Sequence, residues 1–411
     1  MAPRLLKKSF CCVSHDLWMR SSRHLAPDNR NVVIKSKRDT QAIVARAKIG
    51  SACGNTNGDL LHSYAADTQP LTRRRERDGG SVATPRFRAT HPLRHVDFEL
   101  SGWSTTNKMT AGWIDSRLLR DFGAEGTDAH RLCTSEDGWV ERFGSDVLIS
   151  FKRVLARERL LKELQTWADS ARFQVRRVFA RLIPTKSERR ESPALIIGNP
   201  SESLQTVATE WYLRFGIDFG TGYSSGLFLD QRENRRYLRH IAPKRLLNCF
   251  AYTCSFSVYA ACNGAGTLNI DLSRKYLTRG RENFALNNLS TINHRFITDD
   301  VRSVLPRLAR RGEKFDAIIL DPPTFSRSSQ GKTFQVQDDF ENLLISALAL
   351  ADRDAHVLLS TNCSALGERA LKVMARYCLK ETRRAAAFHQ SLPLPDFPPR
   401  AGASSIWLAL R

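Results

Sequence analysis

No stretch of this sequence approaches the roughly 18 consecutive apolar residues that a membrane-spanning helix needs, and no secretory apolar segment stands near its start. Both absences lead us to expect a chain with no membrane partner, in the cytoplasm, where its nine cysteines stay free thiols. Those cysteines (Cys11, Cys12, Cys53, Cys133, Cys249, Cys254, Cys262, Cys363 and Cys378) include no C-x-x-C pair, and no histidine joins them at zinc-finger spacing. No metal is therefore expected. Acidic residues are scarce too, with 42 Asp and Glu facing 63 Lys and Arg.

What is present is enough chain for two or three domains: 411 residues, 42% of them hydrophobic, with a mean hydropathy of −0.36. The net charge of +21 and pI near 10.0 suit a protein that meets a polyanion, most often nucleic acid. The charge is uneven. Residues 1–96 hold 18 Lys and Arg against 7 Asp and Glu, about half of the total excess. They lack sustained periodicity, carry clusters such as Arg73-Arg74-Arg75-Glu76-Arg77, and read as a disordered basic extension over 1–105. A transit peptide, which would move the protein to a mitochondrion or plastid, a nonspecific RNA-binding arm, and an over-long start of the reading frame all fit that composition.

Beyond it, a short helical stretch near Trp113–Leu119 leads into a small mixed α/β domain over 106–200. There Val147–Phe151, Val175–Leu182 and Ala194–Ile197 read as strands, and Ala156–Ala171 as an amphipathic helix. A β-rich stretch over 201–240 follows, with strands expected at Thr206–Tyr212, Phe215–Phe219 and Ser225–Leu229. From 241 to 411 short apolar strands alternate with helices: Arg245–Phe250, Thr267–Ile270, His294–Ile297, Phe315–Leu320 and Ala355–Ser360. That alternation predicts a parallel doubly wound, Rossmann-like sheet.

In such sheets the ligand lies at the carboxyl ends of the strands, so the residues standing there are the candidates. Asp271 ends the second strand, where a carboxylate accepts both hydroxyls of a ribose; a helix cap is the competing reading. No G-x-G-x-x-G lies between Leu246 and Ser257, which leaves a nucleoside cofactor without a pyrophosphate. Asp321-Pro-Pro-Thr-Phe325 is the sharpest motif. Pro322 and Pro323 stiffen the backbone and leave carbonyls free as an acceptor wall, with Phe325 placed to stack on a flat base.

With those motifs in view, residues from about 120 to 411 resemble a class I S-adenosylmethionine-dependent RNA methyltransferase, most similar to the bacterial large-subunit ribosomal RNA cytosine 5-methyltransferases and their guanine 7-methyltransferase relatives. The resemblance rests on Ala124-Glu-Gly-Thr-Asp128, Gly226-Leu-Phe-Leu-Asp-Gln-Arg232, Asn248-Cys-Phe-Ala-Tyr-Thr-Cys-Ser-Phe-Ser257, Asp271-Leu-Ser273, Asp299-Asp-Val301 and Asp321-Pro-Pro-Thr-Phe325. It implies S-adenosyl-L-methionine as cofactor, bound by Phe250, Tyr252, Thr253, Ser255 and Phe256 of the first loop, by Asp271 at the ribose, by Asp300 and Val301 at the adenine, and by Asp321. It implies RNA, ribosomal RNA above all, as substrate. Pro322, Pro323, Phe325 and Arg232 would contact it, with Arg232 reaching in from Asp230-Gln-Arg232. The first loop departs from the commoner pattern in having Cys254-Ser255 where glycines are frequent.

Methylating carbon 5 of a pyrimidine requires temporary attack at carbon 6, for which a thiolate suits. Leu358-Leu-Ser-Thr-Asn-Cys-Ser-Ala-Leu366 resembles the segment that carries such a cysteine, so Cys363 is the candidate nucleophile beside Asp321, and cytosine carbon 5 the expected target. A small semi-buried thiol is the competing reading of Cys363. Methylation of a base nitrogen is the alternative, since Asp321-Pro-Pro-Thr-Phe325 and Phe334-Gln-Val-Gln337 also look like the guanine 7-methyl relatives; an RNA-binding protein that kept the fold without catalysis is another. Lys152, Arg153, Arg176, Arg177 and Arg181 are possible phosphate contacts. Nothing in the sequence bears on the oligomeric state.

Overall fold

The computed structural model of the protein describes residues 112–185, 189–327, 333–399 and 401–411. The basic extension, with its expected disorder, and residues 186–188 lie outside the described residues.

Apolar runs such as Phe-Asp-Ala-Ile-Ile-Leu leave no face for water, so these strands need cover on both sides. They form a seven-stranded sheet from β9 (Arg245–Cys249), β10 (Gly266–Asp271), β11 (His294–Thr298), β12 (Phe315–Leu320), β15 (Ala351–Thr361), β16 (Ala386–Gln390) and β17 (Ser404–Leu410). The order is β11-β10-β9-β12-β15-β17-β16, with β17 antiparallel to its neighbours on either side. The chain winds outward from β9 to β11, then returns to β12 on the other side of β9, which makes the β9–β12 boundary the switch point where ligands bind. Helices α4 (Ser255–Cys262), α5 (Arg274–Leu286), α6 (Val301–Arg310), α7 (Val336–Leu348) and α8 (Glu368–Glu381) are the crossovers, and α3 (Arg232–Ile241) precedes β9. A two-stranded flap, β13 (Phe325–Arg327) with β14 (Thr333–Gln335), follows the Pro-Pro motif.

The smaller sheet is six-stranded, built from β1 (Gly112–Trp113), β2 (Ala129–Ser135), β3 (Gly138–Phe143), β4 (Asp146–Phe151), β5 (Arg177–Leu182) and β6 (Ala194–Ile197), with α1 (Ser116–Ala124) and α2 (Val154–Ala171). The hairpin β7 (Gln205–Glu210) and β8 (Leu213–Asp218) comes next. One apolar cluster joins the parts: Phe143 and Phe179 of the small sheet, Phe215 of the hairpin, and Tyr259, Leu277 and Phe284 of α4 and α5.

Buried ion pairs reinforce the same joint. Arg235 of α3 holds Glu210 of the hairpin through bonds of 2.6 and 2.7 Å, and Arg177, which pairs with Asp146 inside the small sheet at 2.6 Å, donates to the Gln205 carbonyl of the hairpin at 3.1 Å. Arg232 pairs with Asp396. No helix among the described residues is long and apolar enough to cross a membrane.

Ser225–Leu229, expected as a strand, is irregular. Gly226 sits at φ +134, and a Cβ there would lie 2.5 Å from the Gly216 carbonyl and from the Arg279 guanidinium, so the chain folds back and enters a 3-10 turn over Leu229–Gln231 that runs into α3. Sequence periodicity also missed β2, β3, α3 and the antiparallel pair β16–β17, whose short or polar-interrupted runs gain their pattern only from a neighbouring strand or helix.

Candidate active site

In the parallel ladder Leu320 of β12 lies level with Cys249 of β9 and Leu359 of β15. The residues that follow, Phe250, Asp321 and Ser360, therefore share one edge of the sheet, and Asp271 at the end of β10 extends that edge.

The first loop is unusual in its backbone. Phe250, Tyr252 and Cys254 take φ values of +57, +49 and +59, left-handed conformations that cost a non-glycine residue on the order of 1 kcal/mol each. Interactions far away in sequence hold them. The Tyr252 amide donates to Asp271 Oδ2 at 2.8 Å, the Tyr252 hydroxyl donates to the Ser224 carbonyl at 2.9 Å, and the amide of Asn283 donates to the Thr253 carbonyl at 2.9 Å. Gly280 of α5 leaves the room that Cys254 occupies, since a Cβ on Gly280 would come 2.5 Å from the Cys254 sulfur. The glycine absent from the loop is thus matched by one on the helix beneath it.

Two of the loop residues expected at the cofactor turn inward. Thr253 gives its hydroxyl to the Gly226 carbonyl at 2.6 Å, and Phe256 joins the apolar layer with Leu246 and Ala260. Phe250, Tyr252 and Ser255 are partly buried at the strand edge.

Asp271 does not cap α5; Ser273 does, accepting from the Tyr276 amide. The Asp271 carboxylate accepts one backbone N–H on each oxygen, from Ser273 and from Tyr252, both at 2.8 Å. A lone pair per oxygen remains, the number needed for two ribose hydroxyls. Burial pushes its pKa up, against the pull of those two N–H groups. Asp300 caps α6 and is paired with Arg302 at 2.8 Å, while Val301 is buried in the core beside it.

Among the carboxyls at this edge Asp321 is the most perturbed. Burial, with a smaller push from the neighbouring Asp230 charge, raises its carboxyl to about 7, against the opposing Ser360 hydroxyl and Arg235. Gln231 reaches it from the 3-10 turn, donating at 3.2 Å to Asp321 Oδ2 and at 2.7 Å to Ser360 Oγ. Gln231 is held in turn by the amide of Asn234 at 2.7 Å, and Asn234 accepts from the Trp407 indole at 3.0 Å. A carboxyl near 7 can donate or accept a hydrogen bond at neutral pH, so this end of β12 can meet either polarity of a base edge. Pro322 is buried, Pro323 exposed, and Phe325 is 59% exposed.

Arg232 is not at this edge. It is 1% exposed, paired with Asp396, and donates to the Ala129 carbonyl at 3.3 Å, which leaves no face for a ligand. The segment Asp230-Gln-Arg232 does reach this edge, but through Gln231. Successive residues on a helical turn diverge by about 100–120°, so Gln231 and Arg232 point to different partners. Gln231 and Ser360 were overlooked in the sequence although both lie inside motifs noted there.

The expected phosphate contacts divide in the same way. Arg176 and Arg177 share Asp146, and Arg181 donates to Ser150 and the Tyr223 carbonyl. Lys152 and Arg153 remain exposed. Cys363 follows the end of β15, with its side chain 7% exposed in the apolar cluster that includes Phe334 and Leu371, whereas Asn362 before it is exposed.

Residues 151–406 match the model of a family described as S-adenosylmethionine-dependent methyltransferase. Ribosomal RNA large subunit methyltransferase I of Aeromonas salmonicida is 31% identical over 285 residues, 67% of this chain and 71% of that protein. Ribosomal RNA large subunit methyltransferase K/L of Legionella pneumophila is 37% identical over 168 residues, 40% of this chain and 23% of that protein. A solved structure of a proposed S-adenosylmethionine-dependent methyltransferase from Streptococcus mutans superposes with a TM-score of 0.61 at 21% identity, covering 72% of this chain and 78% of that one.

Proposed function

The chain belongs to the S-adenosylmethionine-dependent methyltransferase family, and from that premise we propose that it methylates a base of large-subunit ribosomal RNA, at carbon 5 of a cytosine. The observation that carries the RNA-base reading is Asp321: a carboxyl raised to about 7 at the switch point, fixed by Gln231 and followed by two prolines and an exposed phenylalanine. The names of the similar ribosomal RNA methyltransferases support the choice of RNA.

The residues present suit the cofactor. Asp271 keeps acceptor capacity for a ribose, and the loop from Phe250 to Phe256 has no cation and no glycine cradle for a pyrophosphate. Asp271 would hold the ribose, with the loop from Phe250 at the methionine part and Asp300 with the backbone of Val301 on the adenine side. When bound, the cofactor supplies an electrophilic methyl group.

Carbon 5 of cytosine becomes nucleophilic once the Cys363 sulfur, as thiolate, bonds to carbon 6. Asp321 then meets the N3 and amino edge of the base, donating when protonated and accepting when ionised. After methylation, loss of the carbon 5 proton to a base expels the thiolate and restores the ring.

A second reading, transfer to a base nitrogen, is favoured by the burial of the Cys363 side chain and needs no covalent step. Cys363→Ala separates the two. The carbon 5 reading expects S-adenosylmethionine binding to persist in calorimetry, while 5-methylcytidine disappears from RNA nucleosides by mass spectrometry. Methylation that survives the substitution overturns the covalent mechanism.

A further inference from the structure

Behind Asp321 lies a hydrogen-bonded network of buried polar side chains: Gln231 of the 3-10 turn, Asn234 of α3, Ser360 of β15, and Ser405 and Trp407 of β17, none more than 4% exposed. It runs beside an apolar layer with Leu238, Ile319 and Leu358. A network whose members are all paired fixes the groups it touches.

This network has a direction, and the chemistry of its members sets it. An indole N–H can only donate, and that of Trp407 lies 3.0 Å from Asn234 Oδ1, which accepts it. The Ser391 hydroxyl donates to the same oxygen at 2.5 Å. The Asn234 nitrogen therefore faces the other way, donating to Gln231 Oε1 at 2.7 Å and to Ser405 Oγ at 3.1 Å. Both branches then run to the acid. With its oxygen taken, Gln231 turns only N–H groups toward Ser360 Oγ, at 2.7 Å, and Asp321 Oδ2, at 3.2 Å. Ser405 passes its hydrogen to Ser360 Oγ at 3.2 Å. Ser360 Oγ has then accepted twice, and its own hydrogen goes to the Asp321 carboxyl.

Asp321 thus receives donors from both branches and meets no acceptor in either. Were Gln231 turned over, its oxygen would stand against Asp321 Oδ2 and draw the acid proton inward. In the orientation that the indole imposes, a proton on Asp321 faces away from the network, toward the strand-end site at which Asp321 is partly exposed. Burial opposes ionisation of Asp321 most. The charged groups that face it are Asp230, which also opposes ionisation, and Arg235, which favours it; neither belongs to the network.

We infer that Asn234, oriented by the Trp407 indole, is a positioning residue for methyl transfer: it fixes the polarity of Gln231 and Ser360, so that Asp321 offers its proton to the substrate and not to the protein. This rests on the reading of Asp321 as the working carboxyl and adds what gives it a direction.

The test is the pH profile of kcat, with the full chain and deproteinised large-subunit ribosomal RNA. Asn234→Asp keeps the acceptor for Trp407 and removes both donors, so Gln231 is expected to turn over. Fewer donors then reach Asp321, its charged form is disfavoured, and the inflection near 7 is expected to rise by about one pH unit. A packing defect would lower kcat or Tm and leave the inflection in place. Because the substitution also adds a charge, it is repeated in a Gln231→Met background, where the shift is expected to fall to about half or less. An unmoved inflection in Asn234→Asp, or a shift undiminished in the Gln231→Met background, overturns the inference while wild-type RNA methylation stands. Should Asn234→Asp not fold, Trp407→Phe removes the donor at the head of the network without adding charge; a smaller rise of the inflection is expected there, and no rise overturns the inference equally. Wild-type protein that binds S-adenosylmethionine but methylates no RNA overturns the functional reading and this inference with it.

Discussion

The carboxylates of this protein divide into two sets. Asp146 inside the small sheet, and Glu210 and Asp396 where the small sheet, the hairpin and the main sheet meet, each face a buried arginine. At the strand ends, Asp271 is held by backbone N–H groups and Asp321 by a neutral amide and a hydroxyl. The consequences run in opposite directions. Burial disfavours the Asp146 charge, but the Arg177 and Arg176 guanidiniums hold its carboxyl below the usual range, whereas Asp321 rises to about 7. The first set fastens elements together; the second stays available for hydrogen bonds to a ligand. Charge pairing therefore separates these two sets, one fully buried and the other partly buried at the strand ends.

The comparison can be broken first at the joint. Arg235→Met leaves the Glu210 carboxylate buried without its cation and is expected to destabilise the protein by about 3–5 kcal/mol in urea unfolding, most of it recovered by adding Glu210→Leu. A loss below about 1 kcal/mol would show that the pair is not a fastening. At the strand ends, Asp321→Asn is expected to lower kcat by about a hundredfold or more with little change in Tm.

The same variant tests the titration. Folding raises this carboxyl from about 4 in the unfolded chain to about 7, so the folded state holds the proton more tightly. Its contribution to stability is full below about pH 4 and is lost as the pH rises through about 7. Wild-type stability should fall over that window relative to Asp321→Asn, and wild-type kcat should show an inflection near 7; parallel curves for the two proteins would remove Asp321 from its role. The smallest effect is expected from Asp271→Ala, a cofactor Kd weakened about tenfold, part of it from loosening the Tyr252 backbone. An unchanged Kd would place the ribose elsewhere.

Much of the main sheet was legible because its strands are uninterrupted apolar runs and its helices carry a clear period. Phe315–Leu320 begins and ends where the pattern places it. The strand-end aspartates were legible for the same reason: once a strand is located, the residue after it is located too. The hook was half legible. Asp230-Gln-Arg232 was noted as a unit, yet arginine's charge drew attention to the residue that turns away. Gln231 meets Asp321 across 90 positions and Arg232 meets Asp396 across 164, and no local pattern encodes either meeting. Thr253 and Phe256 turn inward for a related reason: the Gly226 carbonyl that Thr253 meets and the Leu246 layer that Phe256 joins belong to other segments.

The sequence alone determined the class of sheet, the order of its strand-end motifs and a nucleoside cofactor without a pyrophosphate. These are properties of short contiguous segments, and hydrophobic period, proline and the absence of a glycine-rich turn act within such segments. The tertiary structure decided which neighbour on a helical turn faces the strand ends, how Gly280 makes room for Cys254, and which arginines are bound to acids. Each of these depends on which groups meet after distant segments pack, and that geometry exists only once the chain has folded.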